Sequence, residues 1–365
     1  MTKAKRDKTA FSFNEITRNF SPAWFAAVMG TAVVPLAVSF SSQAYKPVVA
    51  TLFFILSAIL FVLILVPWTL KFFRFPESIK KDLNHPIAGS FFPTMPISLI
   101  IISLDLMKYP ELFFTRDTSF QIAFYLWLIG SIGIYMMGFI ILIHIFRHKE
   151  ITLSHANFGW YIPPVSKLII PVAGFELAGI FPQSMELTFG LSMISLGVGF
   201  FLFLFVGAIV YHRYIYHELP MSRFAATFFI GIAPTAIIAV IFFKMINLFG
   251  QVQILGVDPH VFIPIAKLAI MASWGFSIWW FFMSLIVVGY YMRKMELPYA
   301  LSWWAFTFPT GALCIASGVA WKVSNFTSVS FVYDFGVFFL LAVWLLVFVR
   351  TLRGVVSGEI FVPTH

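Results

Sequence analysis

The chain reads as an all-α polytopic membrane protein: ten transmembrane helices arranged as five hairpins around an axis, with the kinked helices inside. Three observations predict this class. Of its 365 residues, 60% are hydrophobic and only 11% charged, with 46 Phe and a mean hydropathy of +0.93. So little charge cannot cover the surface of a soluble fold of this composition. The apolar residues also gather into ten stretches, each reaching the roughly 20 residues that a bilayer core requires. Finally, prolines fall unequally among those stretches.

The stretches lie near 21–41, 48–70, 88–107, 120–146, 159–181, 186–212, 222–248, 261–291, 299–321 and 330–350. Short connections join them, so the organisation is a basic tail (1–20), one transmembrane domain (21–353) and a short C-terminal tail (354–365). The basic tail interleaves Phe11, Phe13 and Phe20 with its charges and is expected to lie on the membrane surface. The first apolar stretch is too long, and starts too far in, for a cleavable signal peptide.

Orientation follows from the basic residues. Most of the 24 Lys and Arg sit on the N-terminal tail or on loops after even-numbered stretches, among them Arg6, Arg18, Lys71, Arg74, Arg147, Arg213, Arg293 and Arg350. The other side holds Lys46, Lys108, Arg116, Lys244 and Lys322. Cytoplasmic loops collect Lys and Arg, which predicts a multi-pass plasma-membrane protein with both termini in the cytoplasm. The net charge of +9 thus reflects topology and implies no nucleic-acid partner.

Every odd-numbered stretch carries an interior proline: Pro35, Pro93 with Pro96, Pro171, Pro234 and Pro309. The even ones have none beyond Pro67 and Pro264 near their ends. A proline removes one helix hydrogen bond and clashes with the carbonyl four residues back, so five parallel kinked helices are expected inside five straighter ones. Thr94, Thr235 and Thr310 each follow such a proline, and Thr31 precedes Pro35 by four; their hydroxyls can serve the freed carbonyls. In the ninth stretch, SWWAFTFPTGALCIASGVA (302–320), Phe308 stands beside Pro309 with Ala305, Gly311 and Ala312 on the same face. One large ring among small neighbours is either ordinary packing or a plug.

Charges near the spans are few. Lys167 and Glu176 share the fifth stretch and are either functional or members of structural ion pairs. Asp105 and Lys108, three apart, are expected to satisfy each other. Lys46, Lys108, Lys244 and Lys322 mark the outer ends of odd helices, where they offset helix dipoles or form a basic vestibule that concentrates anions. The single Cys314 excludes an intrachain disulfide and a Cys-based metal site. With no HExxH, no paired carboxylates at helical spacing and no phosphate-cradling glycine loop, the chain reads as a non-enzyme without cofactors.

Three stretches carry a family resemblance: residues 20–31 (FSPAWFAAVMGT), 85–94 (HPIAGSFFPT) and 303–309 (WWAFTFP). Through them the chain resembles the tellurite-resistance/dicarboxylate transporter family, which includes malate permeases, sulfite exporters and slow anion channels. The resemblance implies a homotrimer in the lipid bilayer, each subunit with its own pore for a small anion, gated by Phe308. Read together with the proline pattern, such a pore would have Thr31, Pro35, Phe92, Pro93, Thr94, Pro171, Pro234, Thr235, Pro309 and Thr310 at its kinks or lining; Lys167 is added to the lining by its place in the fifth stretch, although neither it nor Glu176 matches a motif of the family. The long phosphorylated tails of plant members have no counterpart here, so that regulation is not expected. The residues do not separate chloride or nitrate from malate or sulfite. An alternative is a proton-coupled dicarboxylate permease with Glu176 as proton site; a membrane-embedded enzyme is the more distant one.

Overall fold

A backbone that crosses lipid must bond its own N–H and C=O groups, and helices are the economical solution for a chain this apolar. The computed structural model describes residues 12–85, 87–147, 151–294 and 297–361, and no strand occurs among them. Residues 1–11 and 362–365, including Lys3, Lys5, Arg6, Lys8 and Phe11 of the basic tail, lie outside the described part. In order, the helices are α1 (Phe13–Arg18), α2 (Phe25–Val38), α3 (Lys46–Arg74), α4 (Pro76–Asn84), α5 (Thr94–Lys108) and α6 (Arg116–Arg147). They continue with α7 (Ile162–Ile180), α8 (Met185–Tyr216), α9 (Ala233–Phe249), α10 (Pro259–Lys294), α11 (Phe308–Ser324) and α12 (Thr327–Ser357).

Eight helical stretches are long and apolar enough to cross a membrane: Lys46–Arg74, Ala88–Lys108, Arg116–Arg147, Phe158–Ile180, Pro182–Tyr216, Ser222–Phe249, Pro259–Lys294 and Thr327–Ser357. Two of the ten expected spans are shorter as α-helix. Pro22–Val38 is a short apolar helix, and α11 keeps only 17 residues.

Burial sorts the long helices into two sets. In Ala88–Lys108, 94% of the most apolar segment is buried, against 28% in Lys46–Arg74. Helices α2, α5, α7, α9 and α11 are buried nearly all round, and each packs on the next of this set, with α11 returning to α2. Each of α3, α6, α8, α10 and α12 packs most extensively on the helix before it and leaves large apolar side chains exposed on its far face.

The prolines act differently from the expected mid-helix kinks. Only Pro35 and Pro171 lie beyond the first turn of α-helices of the buried set, and Pro96 is the third residue of α5. Pro93 is the N-cap of α5, while Pro234 and Pro309 occupy the first turns of α9 and α11. Each of those three helices follows a 3-10 stretch: Ala88–Phe91, Ser222–Ile232 and Leu301–Phe306. The first turn of a helix has no use for a proline N–H, so the residue costs little there, and the tighter 3-10 winding absorbs the break instead. Lead-ins of the same kind, Pro22–Trp24 and Phe158–Tyr161, precede α2 and α7. All five buried helices thus share one design.

Residues 12–20 are tied to the helix bundle while most of their side chains stay exposed. Ser12 and Glu15 form a capping box on α1, and α1 packs on α3. Ser78 Oγ donates to the Arg18 carbonyl at 2.8 Å, and Phe20 is buried. Buried Lys71 completes the anchor: its Nζ donates to the Phe20 carbonyl at 2.8 Å and pairs with Asp82 at 2.5 Å. Lys71→Ala leaves both acceptors without a donor and is expected to lower stability by about 1–3 kcal/mol. Thermal unfolding in detergent checks this, with Asp82→Ala added to Lys71→Ala recovering part of the loss.

Candidate functional site

The buried ring is closed by the contact between its first and last members. Gly30 of α2 lies against the side chains of Thr307 and Trp304, and Gly311 of α11 lies against Val33. A Cβ at either glycine would collide with those atoms, so only glycine lets α2 and α11 approach this far. Gly311 therefore serves helix packing and does not sit beside Phe308 on an open face.

Phe308 is the first residue of α11 and is 7% exposed. Its neighbours in the WWAFTFP segment are held by other aromatic rings. Trp303 and Phe306 lie 5.9 Å apart, Phe306 lies 4.9 Å from Phe229, and Trp304 faces Trp344 at 6.5 Å. Both indoles donate as well, Trp303 to the Pro298 carbonyl and Trp304 to Thr351 Oγ1. Phe308 pairs with no ring among the described residues. Phe92 is occupied elsewhere: it meets Trp68 of α3 edge-on at 5.3 Å.

The threonines donate to backbone carbonyls three or four residues before them, not to the carbonyls that the prolines free. Thr94 Oγ1 donates to the Phe91 carbonyl at 2.6 Å and lies 3.0 Å from that of Pro22. Thr310 Oγ1 donates to the Phe306 carbonyl at 2.6 Å. Thr235 Oγ1 lies 3.5 Å from the Ile232 carbonyl and shares a 2.7 Å bond with Ser277 of α10. Thr31 donates to the Ala27 carbonyl and accepts from the Trp344 indole of α12 at 3.0 Å. A hydroxyl has one proton. In Thr31, Thr94 and Thr310 that proton is committed to a carbonyl, so these hydroxyls have none left to offer an anion. Neighbouring helices help at the interior prolines: Tyr109 donates to the Pro35 carbonyl at 2.9 Å, and Trp127 to the Ile170 carbonyl at 3.0 Å.

At one end of the ring the four lysines of the expected vestibule come together. Lys46, Lys244 and Lys322 all lie within electrostatic reach of Lys108, as does Glu176. Glu176 is ion-paired with Lys244. Lys322 also sits 5.1 Å from the centroid of Phe40. Glu176 thus belongs to this cluster rather than to Lys167. The signal was in the sequence: Glu176 stands near the outer end of its stretch, at the level of Lys108 and Lys244.

Two charges depart from expectation. Asp105 does not pair with Lys108; it is fully buried, and neither carboxylate oxygen has a hydrogen-bond partner. Lys108 is exposed and turns to the cluster instead. Lys167, expected along the pore, lies against Gly138 of α6, on the side of α7 that faces the outer helices. Among the described residues no group of His, Cys, Asp or Glu could hold a metal ion.

The sequence has counterparts among known proteins over nearly its whole length. Residues 19–352 match the voltage-dependent anion channel family. An uncharacterized transporter of Methanocaldococcus jannaschii is 34% identical over 358 residues, covering 95% of this chain and 96% of the relative. A sulfite efflux pump of Arthroderma otae is 22% identical, covering 94% of this chain and 92% of the pump. The malic acid transport protein of Schizosaccharomyces pombe is 24% identical, covering 80% and 68%. Matched from residue 19 to 352, the chain belongs to the voltage-dependent anion channel family, whose members are channels and transporters.

Proposed function

We propose that the chain carries small anions through a pathway inside the ring of α2, α5, α7, α9 and α11, closed by the ring of Phe308. In this reading ten helices cross the membrane as five hairpins and both termini are cytoplasmic. The protein is a homotrimer in the plasma membrane, with one pathway per subunit. The observation that carries the gate is the isolation of Phe308: every other aromatic of its segment has a ring partner, and it alone is buried without one. An apolar constriction blocks an ion because passing it means shedding water.

Sulfite and malate, the cargoes named for two relatives, are small oxyanions, and the same class is proposed here. Selectivity then rests on the cluster of Lys46, Lys108, Lys244 and Lys322 rather than on threonine hydroxyls. Positive potential at a mouth raises the local anion concentration without fixing one species. A second reading, proton-coupled dicarboxylate transport, draws on Asp105. Glu176 is engaged by Lys244, whereas Asp105 is a buried carboxyl with no partner, the kind of group a coupled proton would use.

Liposome flux of chloride, nitrate, malate and sulfite, with and without a pH gradient, tests the whole reading. Phe308→Ala is expected to raise anion flux, about tenfold for each 1.4 kcal/mol removed from the barrier, and Phe308→Leu to raise it less. A Phe308→Ala protein that melts much earlier and conducts no better would make the ring a packing residue.

Lys108→Gln and Lys322→Gln are expected to lower flux at low ionic strength and to matter less at high salt, since exposed charges are screened beyond a Debye length of about 10 Å at 0.1 M. Flux measured across a salt series checks this. A reporter active only outside the cytoplasm should stay silent at the C-terminus, and native mass spectrometry from nanodiscs should give three subunits.

A further inference from the structure

Lys167 has no role in the ring, yet its surroundings form a site. Helices α6 and α8 both pack on α7, and the groove between them encloses about 620 Å³ with Lys167 on its floor. The walls are almost wholly apolar, with Phe139, Ile194 and Phe201 exposed along the rim. At one end Tyr135 of α6 and Ser195 of α8 share a 3.0 Å hydrogen bond that bridges the walls. Ser90, in the lead-in to α5, also lines the groove.

The ammonium itself is poorly served. Lys167 is 4% exposed, and its nearest polar contact is Ser166 Oγ at 3.5 Å, a hydroxyl that donates to the Pro163 carbonyl. Neither ion pair among the described residues includes it. A buried ammonium without a counter-charge is costly, so a lone cation at the base of an apolar groove calls for an anion with an apolar body.

We propose that this groove binds a long-chain carboxylate of the membrane, its head on Lys167 and Ser90 and its chain along α6 and α8. Several features favour this occupant. The depth is right: although Lys167 stands near the middle of its span, its ammonium lies against Gly138, nine residues from the end of α6, and a 32-residue helix overhangs a core of about 30 Å by roughly 9 Å at each end, which leaves the ammonium close to where headgroups meet acyl chains. The length is right: from Met193 to Val206 the α8 wall runs about 20 Å. The charge is right, one cation for one carboxylate. A phosphodiester head with glycerol hydroxyls would bring polar atoms that this wall cannot satisfy. The site is independent of the Phe308 pathway, so it stands or falls separately.

The test uses the full chain in detergent, with oleate, oleyl alcohol and phosphatidylglycerol as probes, reading both displacement of a fluorescent fatty acid and the melting temperature. Two variants attack the site from different sides. Lys167→Met keeps the length of the side chain and removes the charge. Gly197→Leu fills the groove at a position where a Cβ meets nothing within 4 Å. Oleate is expected to raise the melting temperature of the parent protein and to bind at least tenfold more tightly than oleyl alcohol. Lys167→Met should abolish that preference, and Gly197→Leu should weaken both probes. Equal binding of oleate and its alcohol by the parent, or unchanged oleate binding in either folded variant, would overturn the proposal. So would a Lys167-dependent response to phosphatidylglycerol but not to oleate. A symmetric disulfide formed through Phe201→Cys in native membranes would put a second copy of the chain in the groove and overturn the proposal equally.

Discussion

The structure turns on a requirement of lipid: every backbone donor and acceptor buried in the membrane must find a partner within the protein. The five buried helices break that ladder, each opening with a 3-10 stretch before continuing as α-helix. The groups released there are met from outside the element. Trp280 and Ser284 of α10 both reach the Phe228 carbonyl in the lead-in to α9, at 3.0 and 3.2 Å. Ser98 of α5 lies 3.3 Å from the Phe25 carbonyl, and at the far end of α2 Tyr333 of α12 donates to the Ala37 carbonyl at 2.8 Å. The outer helices are therefore more than a lipid-facing coat: their Trp, Tyr and Ser side chains complete the backbone of the inner ones.

Much of this was legible in the sequence because it is carried by composition and spacing. Proline on alternate stretches separates the buried helices from the exposed ones, whereas the threonines after Pro93, Pro234 and Pro309 reach the carbonyls of Phe91, Ile232 and Phe306 rather than those of Gly89, Ile230 and Ala305 that the prolines free. The nature of the break was not legible. A proline reads the same whether it kinks a helix or starts one, and only the winding of the preceding residues, here 3-10, separates the two cases. Side-chain direction was the other loss. Lys167 stands on a buried helix, which suggested the pore, but a helix buried all round has two kinds of neighbour, and spacing cannot say which of them a given residue meets. Gly138 on α6 was the missing half of that contact.

The same limit explains the threonines. Read alone, Thr31, Thr94, Thr235 and Thr310 suggest a polar lining. Read with their acceptors, they are the means by which a ring of broken helices avoids one. With Thr31, Thr94 and Thr310 donating to carbonyls, the ring keeps few neutral donors free. The pathway proposed inside the ring would then be poor in binding groups, which suits conduction, since an ion that is never bound tightly is never trapped.

Charge is then left to the ends and the edges. Lysines gather at one end of the ring, where parallel helices present their negative dipole ends and where water can still hydrate an ammonium. Glu176 moderates the cluster by pairing with Lys244, which keeps the helix ends together without an uninterrupted field of like charge. Lys167 and Asp105 have neither advantage, being buried and unpaired. Their positions differ in a way that sets their possible roles apart. Asp105 is enclosed within the buried set, so what reaches it must be small, and a proton qualifies. Lys167 opens onto an apolar groove with exposed walls, so its counter-ion can be large and bring its own hydrocarbon.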